Sequence, residues 1–271
     1  MLDCELLHSV HSLSGESWSA RLNVDQEHPF FFDHRVDHVP GMVLVSGVIA
    51  LAERAGAECG KNADDELTGQ AIELQFLRIC ELDEPPCAYA SMIDANGLRW
   101  NVEVTQKGRR TCAGSVRLAP LRGLPPLPSR NQKPITAKPA DGTLTHRRRP
   151  ENIVVSRMER TDHRLLVSYL GLPRSCMRSQ GVRNTYAIEE LFEAARQFAT
   201  MMYHSVGGVG MNTRLLLTSV LVDVSRPLLR HAPITLLSTG PEIRQRRMTN
   251  MLDIDSDGQP IGSARITSSI L

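Results

Sequence analysis

His28-Pro29-Phe30-Phe31-Phe32-Asp33-His34-Arg35-Val36-Asp37-His38-Val39-Pro40-Gly41 runs directly into the apolar segment Met42-Val43-Leu44-Val45-Ser46-Gly47-Val48-Ile49-Ala50-Leu51-Ala52. Three histidines and two aspartates lie within eleven residues, just ahead of a Pro-Gly turn that opens a helix. Pro40 fixes φ, and Gly41 lets the backbone pass close to a ligand. The helix start offers unpaired N–H groups and a partial positive charge, suited to a carbonyl oxygen or an anion. From Gly41 to about Cys59 the segment is apolar on nearly every face until Glu53 and Arg54, which describes a helix wrapped by other structure.

Outward from this stretch, residues 17–24 alternate as a strand feeding the His/Asp loop. After the helix come strand-like runs over 70–82, 87–93, 98–106 and 110–119, with turn signals at Asp83-Glu84-Pro85-Pro86, Asn96-Gly97 and Lys107-Gly108. Residues 120–150 hold seven prolines (120, 125, 126, 128, 134, 139 and 150) and read as a linker. Its end, Arg147-Arg148-Arg149, is either a dock for an acidic carrier protein or a solvated charge run. Beyond it the order recurs: strands over 152–158 and 164–170, a helix over 187–204, and strands over 213–224, 234–238, 249–254 and 262–269. Gly114-Ser115-Val116-Arg117 matches Gly262-Ser263-Ala264-Arg265 at an offset of 148, Arg78 and Arg226 share that offset, and Ser46 and Glu193 differ by 147. Three matches at nearly one spacing indicate a duplicated unit, with repeats at 1–119 and 151–271.

The 271 residues carry 31 basic and 30 acidic side chains, a net charge of +1. That balance gives no field directed at nucleic acid or an anionic membrane, so a small partner is expected. No apolar run reaches the roughly 18 residues of a membrane span, and Met1-Leu2-Asp3-Cys4-Glu5 carries an acid where a signal peptide carries base. A cytoplasmic location follows as the expectation. The six cysteines form no C-x-x-C pair and read as reduced core thiols.

A long helix wrapped by an antiparallel sheet, behind a His-bearing loop and a Pro-Gly turn, resembles the hotdog fold. Pro29 to His34 followed by Pro40-Gly41 is similar to the loop of β-hydroxyacyl carrier-protein dehydratases, shortened by two residues. The closer resemblance is to the A-factor biosynthesis hotdog family, the γ-butyrolactone autoregulator synthases. Residues 28–44 match almost throughout its signature His-Pro-x-Phe-Phe-Asp-His-x-x-Asp-His-Val-Pro-Gly-Met-x-Leu-x-Glu-Ala-x-Arg-Gln. The resemblance implies an α+β tandem double hotdog, each repeat an antiparallel sheet around one long central helix. Where the signature continues Glu-Ala-x-Arg-Gln, the first helix instead reads Ser46-Gly47-Val48-Ile49-Ala50; the missing residues stand in the second half as Glu193-Ala194-Ala195-Arg196-Gln197. The loop before the second helix, residues 176–186, lacks both histidine and Pro-Gly. Each repeat keeps half a site, so one composite site per chain is expected, with His34 facing Glu193 across a pseudo-two-fold.

His34 titrates near neutrality and suits proton abstraction; Asp33, Asp37 and His38 either orient it or serve as turn and cap residues. A metal shared by His28, His34 and His38 is not expected, for want of a second ligand cluster. Glu193, Arg196 and Gln197 share one helix face, with Glu189 a turn earlier. Burial there raises a carboxylate's pKa and suits it to acid–base work; a plain Glu–Arg surface pair is the alternative. Arg196 is the natural phosphate or carboxylate clamp.

By resemblance the chain is an acyltransferase of signal biosynthesis. It would join a β-ketoacyl thioester, carried on acyl carrier protein or CoA, to the hydroxyl of dihydroxyacetone phosphate, with closure to a butenolide, the γ-butyrolactone precursor. His34 or Glu193 would be the base, with Gln197 on the same face as Arg196, which takes the phosphate. Gly41, Met42 and Val43 N–H groups would hold the thioester carbonyl, and the acyl chain would lie along the helices. No cofactor is implied. Alternatives are a dehydratase or thioesterase on the same scaffold and a non-catalytic acyl-binding protein. The internal pseudo-dimer is compatible with a monomer or a homodimer.

Overall fold

The computed structural model describes residues 6–59, 66–121, 137–161, 163–171, 185–230 and 232–271. Cys4, Cys176, the prolines at 125, 126, 128 and 134, and most of the loop before the second long helix lie outside the described residues.

The chain opens with a hairpin, β1 (Leu7–Ser14) and β2 (Ser17–Leu22), and crosses the His/Asp loop into α1 (Gly41–Glu58). It returns through β3 (Leu67–Phe76), β4 (Cys87–Met92), β5 (Arg99–Gln106) and β6 (Arg109–Pro120). A short α2 (Gly142–Thr145) and a 3-10 turn at Pro150–Asn152 precede β7 (Glu159–Arg160) and β8 (Leu165–Ser168). The second long helix, α3 (Ile188–Ser205), is followed by β9 (Leu215–Val224), β10 (Ile234–Ser238), β11 (Glu242–Arg244), β12 (Arg247–Ser256) and β13 (Gln259–Ile270).

Apart from β11, which pairs only with β12, the strands form one antiparallel sheet in the order β1-β2-β4-β5-β6-β3-β9-β13-β12-β10-β8-β7. The order is a palindrome about the β3–β9 seam, where Ala71 lies opposite Asp223, Ile72 opposite Val222 and Glu73 opposite Leu221. The pseudo-two-fold therefore passes between Ile72 and Val222. Two ion pairs cross the seam as its mirror images, Arg117 Nη2–Asp223 Oδ1 at 2.5 Å and Arg265 Nη2–Glu73 Oε1 at 3.4 Å. The repeated glycines explain themselves here: a β-carbon on Gly114 would stand 1.8 Å from the Glu73 carbonyl oxygen, and one on Gly262 would stand 2.2 Å from that of Asp223. Each hairpin next to the seam also turns through two residues of positive φ, Lys107-Gly108 and Asp257-Gly258, the geometry that matches strand twist.

Each half thus wraps its sheet around one helix, and the double hotdog architecture is realised. In α1 every residue from Met42 to Glu53 is buried. In α3 the acids Glu189, Glu190 and Glu193 are buried as completely as the apolar residues beside them. Glu190 accepts hydrogen bonds from Tyr169 Oη at 2.7 Å and Arg230 Nη2 at 2.6 Å. Sequence patterning missed β1, whose serines and histidines are largely exposed and which survives as an edge hairpin. The strand expected over 152–158 is instead a 3-10 turn and isolated bridges, Pro139 with Ser156 and Val155 with Tyr169.

Gly114→Ala is expected to lower stability by about 1–3 kcal/mol or more, because backbone rather than a flexible side chain must yield. For a chain of this size that is several degrees in melting temperature. Gly15→Ala, which meets nothing within 4 Å, is the matched control; equal melting of the two variants would show that the strands do not approach this closely.

Candidate active site

The loop from His28 to Pro40 is shaped by its own polar residues. The buried His28 accepts backbone N–H bonds from Phe30 and Phe31 at Nδ1, both at 3.3 Å, and its ring packs on Phe31. It is a turn residue. Asp33 is also structural: its carboxylate accepts from Arg148 N–H, from Arg149 N–H at 3.0 Å and from Asn152 Nδ2 at 2.6 Å. His34 Nδ1 lies 3.7 Å from Asp33 Oδ2, beyond a hydrogen bond, so the expected catalytic role of Asp33 gives way to a clamp between the loop and residues 148–152.

Arg147 connects the loop to α3. Its Nη1 donates to the Phe30 carbonyl at 2.8 Å, its guanidinium lies 4.7 Å from the Phe30 ring centre, and its Nε and Nη2 donate to Glu193 Oε1 at 3.0 and 2.6 Å. Arg147 is buried in an internal ion pair, which removes it from both the docking and the solvated-charge readings of Arg147-Arg148-Arg149, whereas the side chains of Arg148 and Arg149 are exposed. Glu193 also accepts from Arg196, Nε to Oε2 at 2.8 Å and Nη2 to Oε1 at 2.7 Å, and from Gln197 Nε2 at 2.7 Å. Gln197 further donates to the Asn152 carbonyl and accepts from Val154 N–H, so it is a strut rather than a substrate ligand.

Burial alone would push the Glu193 carboxyl up, but Arg147 and Arg196 outweigh it and hold the pKa down to about 2. The expectation of a raised pKa and an acid–base Glu193 is therefore corrected, because two guanidiniums converge on the carboxylate. Two cations and one anion leave the cluster with one net positive charge, and Arg196 retains 22% exposure, its Nη1 having no partner among the described residues. At the matching position of α1, Ser46 Oγ has no hydrogen-bond partner among the described residues, and Ile49 and Ala50 replace the arginine and glutamine.

Arg196 and Arg147 meet His34 on the wall of one cavity of about 280 Å³, together with Gly41, Met42 and His38. Burial pushes the His34 imidazole below its ordinary value, opposed by Asp33 and aided by Arg148 and Arg147. It is neutral at pH 7 and free to accept a proton. Val43 N–H is taken by the Pro40 carbonyl at 2.9 Å, which removes it from the expected carbonyl-binding set. Gly41 and Met42 N–H have no acceptor among the described residues, and the helix has no side-chain cap. His38 Nδ1 contacts Asp37 at 2.8 Å, and Asp37 takes both its other bonds from Arg214 Nη2, at 2.8 and 2.9 Å. Cys80 also lines the cavity, but burial and the nearby Glu81 and Asp83 push its thiol up to about 12, unfit as a nucleophile. Apolar walls come from Phe76, Leu77, Ile79 and Leu217.

Sequence reasoning missed His146, which lies on this cavity wall with Nε2 2.8 Å from His204 Nε2. It sits within the stretch read as linker, and no spacing pattern links it to α3.

Glu193→Gln leaves Arg147 and Arg196 without their anion in the interior, an expected cost of about 3–5 kcal/mol in urea unfolding at pH 7. Above pH 5 the carboxylate is ionised in both states; as pH falls, the unfolded chain protonates near 4.5 while the folded chain resists to about 2. The wild type therefore loses a contribution of order 3 kcal/mol between those values. The variant lacks that part of the acid limb, and identical acid limbs for the two proteins would refute the paired carboxylate.

The described residues include no helix long and apolar enough to cross a membrane. In solved structures, the chain is similar to the dehydratase domain from the CurJ module of curacin polyketide synthase (13% identity, 98% of this chain and 97% of that one, TM-score 0.61). It is also similar to the dehydratase domain of PpsC from Mycobacterium tuberculosis (14% identity, 99% of each chain, TM-score 0.61). At these identities the likeness is one of fold. Among curated proteins it is 37% identical over 87 residues to 2-oxo-3-(phosphooxy)propyl 3-oxoalkanoate synthase from Streptomyces virginiae. That match spans 31% of this chain and 27% of the relative. The model of the A-factor biosynthesis hotdog domain matches residues 4–121 and again 129–271, one copy on each half of the palindromic sheet, and the chain belongs to the A-factor biosynthesis hotdog family.

Proposed function

We propose that the chain is an acyltransferase joining a β-ketoacyl group, delivered as a thioester, to the hydroxyl of a small phosphorylated acceptor of the dihydroxyacetone phosphate type. The observation that carries this reading is the Arg196 guanidinium, held on the same cavity wall as a neutral His34. An oxyanion clamp beside a proton acceptor suits a substrate that bears both a phosphate and a nucleophilic hydroxyl. The relative's name supports it, since a 2-oxo-3-(phosphooxy)propyl 3-oxoalkanoate is the ester such a transfer forms.

In this mechanism Arg196 binds the phosphate through its uncommitted Nη1, with Glu193 and Arg147 fixing the guanidinium. The acceptor hydroxyl loses its proton to His34 as its oxygen attacks the thioester carbonyl. Negative charge on that carbonyl oxygen is met by Gly41 and Met42 N–H. Collapse breaks the C–S bond, the imidazolium returns its proton to the departing sulfur, and ester and thiol are released. The acyl chain lies against Phe76, Leu77, Ile79 and Leu217. A dehydratase that used Glu193 as acid is disfavoured, because a carboxyl held at about pKa 2 by two arginines has no proton to give at neutral pH.

The test is a mass-spectrometric assay with a β-ketoacyl thioester, with and without dihydroxyacetone phosphate. A phosphorylated ester formed only with the acceptor is expected. His34→Ala should lower kcat by roughly 10²–10⁴-fold, and Arg196→Leu should raise KM for the acceptor roughly ten- to a hundredfold. Free acid or dehydrated thioester appearing without the acceptor would establish a thioesterase or dehydratase instead.

A further inference from the structure

The cavity is small for the molecules it has to join. A cavity of about 150 Å³ holds a benzene ring, so one of about 280 Å³ holds roughly eleven non-hydrogen atoms. Dihydroxyacetone phosphate by itself nearly fills that space, and the reacting head of a β-ketoacyl thioester takes it past the limit. The acyl chain beyond the ketone therefore has no room inside and must leave.

Its direction is set at the start of α1. A β-carbon on Gly41 would stand 3.4 Å from both Phe76 Cε1 and Leu217 Cδ2, so these two side chains, one from each repeat, flank the N–H groups that receive the thioester carbonyl in the proposed transfer. Beyond Phe76 the chain runs on along the cavity, and Leu77, Arg78, Ile79 and Cys80 all line it. Among the described residues of the wall, Phe31, Leu44 and Cys80 are buried, whereas Leu77, Arg78 and Ile79 alone are exposed. The mouth lies along residues 77–79.

Leu77 is 52% exposed and Ile79 44%. A single exposed aliphatic side chain is ordinary, but two of them beside the mouth of an apolar-walled cavity mark a binding surface. The segment that carries them is fixed at both ends. The Thr111 carbonyl accepts from Leu77 N–H at 2.8 Å and from Arg78 N–H at 3.2 Å, and the Cys80 carbonyl accepts from Val39 N–H at 2.8 Å. The surface thus continues the cavity wall without any backbone having to be ordered by the ligand.

We infer that the acyl site is open-ended. The chain passes between Phe76 and Leu217 and continues outward over Leu77 and Ile79, specificity-determining residues that favour aliphatic chains long enough to cover both, of about eight carbons or more. A closed pocket sets an upper limit on length, because the first methylene too many overpacks it. An open surface sets none and adds a small gain with each methylene. Full burial of a methylene is worth roughly fourfold in affinity, so cover on one side is worth roughly twofold. The inference rests on the acyl half of the reading above and is independent of the acceptor.

The test is kcat/KM of the full chain for 3-oxoacyl-CoA thioesters of about four to ten carbons, read as thiol release with dihydroxyacetone phosphate present, beside calorimetric binding of S-alkyl-CoA thioethers of the same lengths, which cannot react. Both series are expected to rise roughly twofold per methylene with no cut-off. Leu77→Ser combined with Ile79→Ser should flatten the dependence on length. Leu13→Ser, at a leucine of β1 that is 60% exposed, should not, and thermal melting beside wild type checks that both variants are folded. A cut-off at a fixed length in the wild type, or a slope that survives in the double variant, would overturn the inference. So would a double variant that loses turnover equally at every length when the acyl group rides on a carrier protein while the thioether slope is unchanged, since the patch would then be a carrier dock. Free acid released with the length dependence intact would reject acyl transfer and leave the open-ended site standing; a phosphorylated ester formed with no length dependence would do the reverse.

Discussion

The pairing of Arg147 with Glu193 is the contact on which the site depends. A carboxylate with no solvent exposure is tolerable only if it is paired and its lone pairs are filled, and here Arg147, Arg196 and Gln197 fill them. Such an ion pair is weak evidence for net stability, because desolvation of both charges offsets most of the Coulomb gain. Its effect is positional. Arg147 turns its remaining nitrogen, Nη1, to the Phe30 carbonyl, which ties the histidine loop of one half to the helix of the other. Asp33 secures the same junction from the opposite side through Arg148, Arg149 and Asn152.

Duplication supplies the frame, and divergence makes it useful. The seam between β3 and β9 keeps its symmetry in register, in its two ion pairs and in the two glycines that admit close strand contact. The helices have diverged: the sixth residue of α1 is Ser46 and that of α3 is Glu193. Losing the carboxylate from one helix and the histidine from the other loop leaves one polar junction, where a symmetric dimer would carry two.

The chemical consequence is that three titratable groups in or beside the cavity are each biased toward one protonation state. Glu193 is fixed as an anion, His34 is lowered into neutrality, and Cys80 is held as a thiol. In the proposed transfer the proton would pass through His34, and the anion would rest on a guanidinium whose direction the carboxylate sets.

Much of this architecture was legible in the residues alone. Continuous apolar patterning marked α1, alternation marked β2 and most strands of both halves, and the 148-residue offset of Gly114 and Gly262 marked the duplication, because these depend on near neighbours and periodicity. The conjunction of the His34 loop with the Glu193 helix was also readable, from complementary loss. What only the tertiary structure decided were the partners. Arg147 lies 46 residues from Glu193 and 117 from Phe30, and His146 lies 58 from His204. The pKa of Glu193 moved down rather than up because charge at 3 Å outweighs desolvation, and no spacing along the chain encodes which charge will stand there. Asp33 and Gln197 passed from expected chemistry to structure for the same reason: a side chain's role follows from which of its hydrogen-bonding atoms remain unspent, and that is settled only when the chain has folded.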